Sequence, residues 1–141
     1  MTDHLAVAAR LFEAIENKNP AGVAELYADD IQVWHNFSDD CQDKATNVRT
    51  LSALCAGVAE IHYDVVERLL LADGRVLQRH VLRGVTADGS EVRIPACMLI
   101  TVGGNRITRI DEYLDTAQAN ALRAATGRPP VGTDAGDSAG R

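Results

Sequence analysis

The sequence has little that would tie it together covalently. Its three cysteines, Cys41, Cys55 and Cys97, are odd in number, far apart and form no CxxC pair, so they read as reduced thiols of a cytoplasmic protein. Long apolar runs are missing: no stretch approaches the roughly 18 residues of a membrane span. The opening MTDHLAVAARLF lacks a basic start, an apolar run and a small-residue cleavage site, and is read as no signal peptide. Basic charge is short as well. Fourteen Lys and Arg stand against twenty Asp and Glu, a net charge of -6, with no basic cluster to follow a nucleic acid. The phosphate-cradling loops GxxxxGK and GxGxxG are absent, as is a nucleophile elbow around any Ser or Cys. No local metal spacing such as HxxE occurs, and no internal repeat is visible. Neither a metal nor another cofactor is expected, and neither a membrane nor a nucleic acid is an expected partner.

What remains is a chain of single-domain length in which 46% of residues are hydrophobic, enough for one sizeable core. Thr2 or Asp3 can cap a first helix whose Leu5, Ala8, Phe12 and Ile15 recur at helical spacing. Asn19 and Pro20 open a second, with Val23, Leu26 and Tyr27 as its apolar stripe. Residues 31–36 read as a strand, and 37–43 as a polar loop. Val48, Leu51, Leu54 and Cys55 mark a third helix from Lys44 to about Ala56, with Gly57 as its terminator. Thereafter the pattern is β. Asp73-Gly74, Asp88-Gly89 and Gly103-Gly104-Asn105 separate segments 58–71, 75–86, 91–102 and 106–115 into an antiparallel meander. The domain is read as residues 1–118. Residues 119–141, rich in Gly, Pro, Ser and Asp towards their end, are read as a disordered tail unless a partner holds them.

Three segments carry a family likeness: YADDIQVWHN at 27–36, RIPACMLI at 93–100 and RITRIDEYLD at 106–115. Together with the order of elements, they resemble the nuclear-transport-factor-2-like superfamily, in particular its SnoaL-like polyketide cyclase and ketosteroid isomerase-like members, over residues 3–118. The resemblance implies an α+β fold, a cone-shaped barrel in which three N-terminal helices pack on a strongly curved, mostly antiparallel sheet around an apolar pocket. It also implies pairing of sheets into a homodimer, for which the face carrying Arg79, Val81 and Arg83 is suited. It does not choose a reaction, because one fold hosts many chemistries.

Strand alternation selects the residues that would line such a pocket. Ile110, Glu112 and Leu114 share one face of the last strand: one acid between apolar neighbours, where burial would favour the protonated form and suit proton transfer. The segment resembles limonene epoxide hydrolases, which keep an acidic catalytic residue there. Gln78, His80 and Leu82 share a face opposite Arg79 and Arg83, which sends His80 inward; the resemblance to scytalone dehydratases and other SnoaL-like lyases places a histidine on a comparable strand. The first strand leaves two registers open. In one, His35 takes the place of the general base of ketosteroid isomerases. In the other, Trp34 and Asn36 match the Tyr-x-Asn pair of the epoxide hydrolases, and a bulge could bring His35 and Asn36 together. The Asp of the epoxide hydrolases' Asp-Arg-Asp triad is missing in either alignment, which excludes that mechanism. Tyr63 could donate to an oxyanion. Asp39 and Asp40 read as loop acids.

The expectation is a cofactor-independent lyase or isomerase for a small hydrophobic molecule bearing a carbonyl or hydroxyl, such as a polyketide or steroid. His35, His80 and Glu112 would be its acid–base groups, and Trp34, Asn36, Tyr63, Leu82, Ile110 and Leu114 its substrate contacts. The alternative is a non-catalytic ligand-binding or assembly protein of the same fold.

Overall fold

A computed structural model describes residues 2–131. Helix α1 (His4–Glu16) begins where the Asp3 carboxylate accepts from the amide of Ala6 at 3.1 Å, and it buries Val7, Ala8, Leu11, Phe12 and Ile15. The chain turns at Lys18, whose φ of 55° is positive, and Asn19 caps the seven-residue α2 (Pro20–Leu26). Strand β1 (Tyr27–His35) then starts four residues before the predicted 31. Tyr27 ends up on the strand and not on the helical stripe, and its hydroxyl is tied to Asn47 of α3 (Lys44–Gly57), a helix capped by Asp43.

The meander follows as β2 (Val58–Leu70), β3 (Val76–Thr86), β4 (Glu91–Gly103) and β5 (Arg106–Leu114). Gly74 and Gly89 take φ values of 90° and 85° at the first two turns, the left-handed backbone that made these sites legible as hairpins. The five strands lie in the order β1-β5-β4-β3-β2. All neighbours are antiparallel except β1, which runs parallel to β5 at the sheet's edge. Register irregularities interrupt β2 at Val58/Glu60 and again at Val65/Glu67. This mixed sheet and its helices are consistent with the cone fold.

One expectation is corrected. The chain from 119 does not start as a tail: helix α4 (Thr116–Ala125) is capped by Asp115 and packs against β4. Ala119 and Leu122, three residues apart, join Val92 and Ile94 in a small apolar cluster. The stripe within TAQANALRAA was present in the sequence, masked by the glycines and prolines that follow it. Residues 132–141 of the expected tail lie outside the described residues.

The main core lies between one face of the sheet and helices α1 to α3, with Ile100, Ile107 and Val76 fully buried beneath Val7, Leu11 and Val23. Among the described residues, no helix is long and apolar enough to cross a membrane. Truncating Ile107→Ala should lower the unfolding free energy by about 2–5 kcal/mol in urea titrations. The same truncation at the exposed Val66 should change it by no more than about 0.5 kcal/mol. Equal effects at the two sites would contradict this placement of the core.

Candidate active site

The core face of the sheet is not filled to its end. Val33 and His35 of β1, Ile110, Glu112 and Leu114 of β5, His80 and Leu82 of β3 and Tyr63 of β2 border a cavity of about 140 Å³. Leu11 and Ile15 of α1, Leu51 and Leu54 of α3, and Leu122 and Arg123 of α4 close its other sides. That volume is close to the roughly 150 Å³ of an engineered cavity that holds benzene. Most of the lining is aliphatic, so its few polar atoms stand out.

The first polar group is a pair. His35 and Glu112 are direct partners across the parallel β1–β5 ladder, on the same face. The imidazole Nε2 lies 3.1 Å from the carboxylate Oε1, with the two side chains 16% and 14% exposed. The His35 ring stacks on Phe37, centroids 5.1 Å apart, and the Arg123 guanidinium covers the Phe37 ring at 5.3 Å. The pair thus sits at the cavity's edge, neither sealed off nor washed by solvent.

The second group lies deeper. His80 is buried against the edges of Phe12 and Tyr63. Its Nδ1 is 2.9 Å from the Gln78 amide nitrogen, and the Gln78 carbonyl oxygen accepts from Arg68 Nε at 2.6 Å. Burial pushes the His80 pKa below its ordinary value, and the Arg68 charge adds to this, while Glu112 acts in the opposite sense. Burial also raises the Tyr27 and Tyr63 phenols, aided by the Glu112 charge, so both keep their protons at neutral pH. Tyr27 spends its proton on Asn47 Oδ1 at 2.7 Å, and Asn47 in turn donates to Gln42 at 2.8 Å. The Tyr63 hydroxyl and the His80 Nε2 have no partner among the described residues. Since none of the buried side-chain polar atoms there is left unsatisfied, both open onto the cavity.

The structure therefore brings together His35, His80, Glu112, Tyr63, Leu82, Ile110 and Leu114. Trp34 and Asn36 are corrections. Ile31, Val33 and His35 point to the core, so alternation turns Trp34 to the outer face, where it meets Tyr113 edge-on at 5.2 Å. Asn36 clasps the end of β5 instead, accepting from the Leu114 amide and donating to its carbonyl, both at 3.2 Å. The Tyr-x-Asn register is excluded. Asp39 and Asp40 are exposed and do not line the cavity. Among the described residues no three His, Cys, Asp or Glu side chains converge as metal ligands. Sequence reasoning missed Tyr27, Asn47, Phe37 and Arg123. Tyr27 looked like part of a helical stripe, and Arg123 lies beyond the boundary drawn at 118; nothing local marks Asn47 or Phe37.

The low His80 pKa has a thermodynamic sign. Below the unfolded-state value of about 6.5 the unfolded chain binds a proton that the folded one refuses. The contribution is complete above about 6.5 and is lost as pH falls through the lower folded value. An NMR titration of the His80 ring should give a midpoint below about 6.5; a midpoint at or above that value would contradict the buried, neutral imidazole.

Comparison with known proteins agrees with this architecture. The model of the SnoaL-like domain family matches residues 8–110. No curated protein sequence matches the chain. Among solved structures, PrhC from Penicillium brasilianum is similar with a TM-score of 0.76 at 11% identity, over 87% of each chain. An LEH-like epoxide hydrolase of M. tuberculosis is similar with a TM-score of 0.69 at 17% identity, over 84% of this chain and 87% of its own. A protein of ketosteroid isomerase-like fold from Catenulispora acidiphila, in complex with trimethylamine, gives 0.68 at 17% identity, over 87% of this chain and 93% of its own. At such identities these structures speak to fold alone. With the family model spanning most of its length, the chain belongs to the SnoaL-like domain family, on the nuclear-transport-factor-2-like fold.

Proposed function

We propose that the protein is a cofactor-independent isomerase or lyase that moves protons on a small hydrophobic carbonyl or hydroxyl compound. The observation that carries this reading is the His35–Glu112 pair at the edge of a largely apolar cavity that His80 and Tyr63 also line. A carboxylate paired with an imidazole is a proton acceptor, and the protonated phenol of Tyr63 is a donor. The two kinds of group border one small space, as an enolising site requires.

In this mechanism the Glu112 carboxylate takes a proton from the carbon next to the substrate carbonyl. The electron pair of that C–H bond moves into a carbon–carbon double bond, and the carbonyl oxygen becomes an enolate oxygen. Tyr63 and His80 meet the charge growing on that oxygen. Collapse of the enolate then takes the proton back from Glu112 at another carbon, which is isomerisation. Alternatively it expels a β-hydroxyl as water with a proton relayed through His35, which is dehydration. In isomerisation the proton returns to carbon; in dehydration it leaves in the water formed from the hydroxyl; either way Glu112 ends as the carboxylate and no electron is gained or lost.

The cavity volume bears on the substrate. About 140 Å³ suits one six-membered ring or a short chain. A steroid would need several times that space, so a monocyclic ketone is preferred to the steroid or polyketide first expected.

Exchange of solvent deuterium into a panel of cyclic β,γ-unsaturated ketones, followed by proton NMR, tests the proton abstraction directly. The wild type should accelerate exchange next to the carbonyl, and Glu112→Gln should slow it by at least about 100-fold. Rates for that variant within threefold of wild type would sink the catalytic role of Glu112. No acceleration by wild type would leave a ligand-binding protein of the same fold.

A further inference from the structure

His80 can steady a substrate oxygen only if the nitrogen facing the cavity carries the proton. A neutral imidazole has one N–H, and its two tautomers are opposite in function: one donates into the cavity, the other accepts from it. The surroundings of His80 decide between them.

Arginine has only donors. The atom of Gln78 that meets Arg68 Nε at 2.6 Å must therefore be the carbonyl oxygen, which leaves the amide nitrogen facing His80 Nδ1 at 2.9 Å. An amide nitrogen only donates, so Nδ1 must accept and cannot hold the proton. Gln78 is fully buried and has no other orientation that satisfies both neighbours. We propose that Arg68 and Gln78 are positioning residues which lock His80 in the tautomer protonated at Nε2, making it an oxyanion donor and not the base of the site. This rests on the proton-transfer reading of the site given above.

The arrangement has a local cause. Tyr63 of β2 faces the core opposite Leu82, and uninterrupted alternation would place Glu67, not Arg68, on that face. The irregularity between Val65 and Glu67 inserts one residue, Val66. Beyond it Arg68 stands opposite Gln78 on the core face, while Glu67 pairs with Arg79 outside at 2.7 Å. The guanidinium then lies over the Phe12 ring at 5.7 Å, half-buried, with its Nε directed at Gln78. The charged and titratable groups felt by His80 are Arg68, which opposes its protonation, and Glu112, which favours it. Tyr63 adds a neutral phenol at its ring edge.

Long-range proton–nitrogen NMR of the histidine rings reads the tautomer without any substrate. At about pH 8, above the ordinary histidine pKa, wild-type His80 should be protonated at Nε2 and bare at Nδ1. Arg68→Lys keeps a donor behind Gln78 and should preserve that signature. Arg68→Met frees the amide to flip and should give a mixture. Gln78→Glu presents a carboxylate to Nδ1 and should protonate it. In the deuterium-exchange assay Gln78→Glu should also cost at least about tenfold in rate. Wild-type His80 protonated at Nδ1, or a Gln78→Glu variant with Nδ1 still bare, would overturn the proposal. Loss of exchange in every protein with the wild-type tautomer as described would instead overturn the proton-transfer reading and leave the lock standing. Should Gln78→Glu fail to fold, the wild-type and Arg68 spectra decide the matter.

Discussion

The parallel pairing of β1 with β5 sets the distance between His35 and Glu112, the pair at the cavity's edge. A strand added antiparallel, or shifted by one residue, would carry a different side chain opposite Glu112, and a one-residue slip would turn His35 to the outer face. The observed register places His35 directly across from Glu112, and the Asn36 clasp on Leu114 holds the strand ends together just beyond them. Asn36, which secures the ladder, follows His35 directly in sequence, just past the end of β1. That is why Asn36, although it does not line the cavity bordered by His35 and Glu112, bears on the site.

The interior applies two rules to its polar groups. Those with a structural role are closed into chains: Tyr27 to Asn47 to Gln42, and Arg68 to Gln78 to His80. Two atoms outside such bonds, the Tyr63 hydroxyl and the His80 Nε2, face the cavity. A ligand oxygen placed there could accept from both, which favours polar substrates of the right shape over plain hydrocarbons.

Much of the fold was legible in the sequence because it is written in local signals. Glycines at the hairpin turns and apolar stripes at helical spacing are short-range features, and the order of helices and strands up to 115 came from them. The direction of β1 was not legible, since parallel pairing with a strand some 80 residues away leaves no local mark. Helix α4 had its stripe at Ala119 and Leu122, but the glycines and prolines after it weighed more heavily than they should. At the site, period-two alternation correctly sent Glu112, Ile110, Leu114, His80 and Leu82 inward. The same rule applied to Ile31 and Val33 already pointed to His35; motif likeness to Trp34-x-Asn36 competed with it and lost. Arg68 was invisible because a one-residue bulge reverses which side chains face the core.

The central claim is that this cavity binds a carbonyl compound with its oxygen between Tyr63 and His80 and its acidic carbon towards Glu112. A crystal structure of the protein with a bound monocyclic enone tests it most directly. The account predicts the ligand oxygen within hydrogen-bonding distance of the Tyr63 hydroxyl and the His80 Nε2, with the ring against Leu82 and Ile110. A ligand seated on the outer sheet face beside Tyr113, or one whose oxygen points away from both donors, would contradict it.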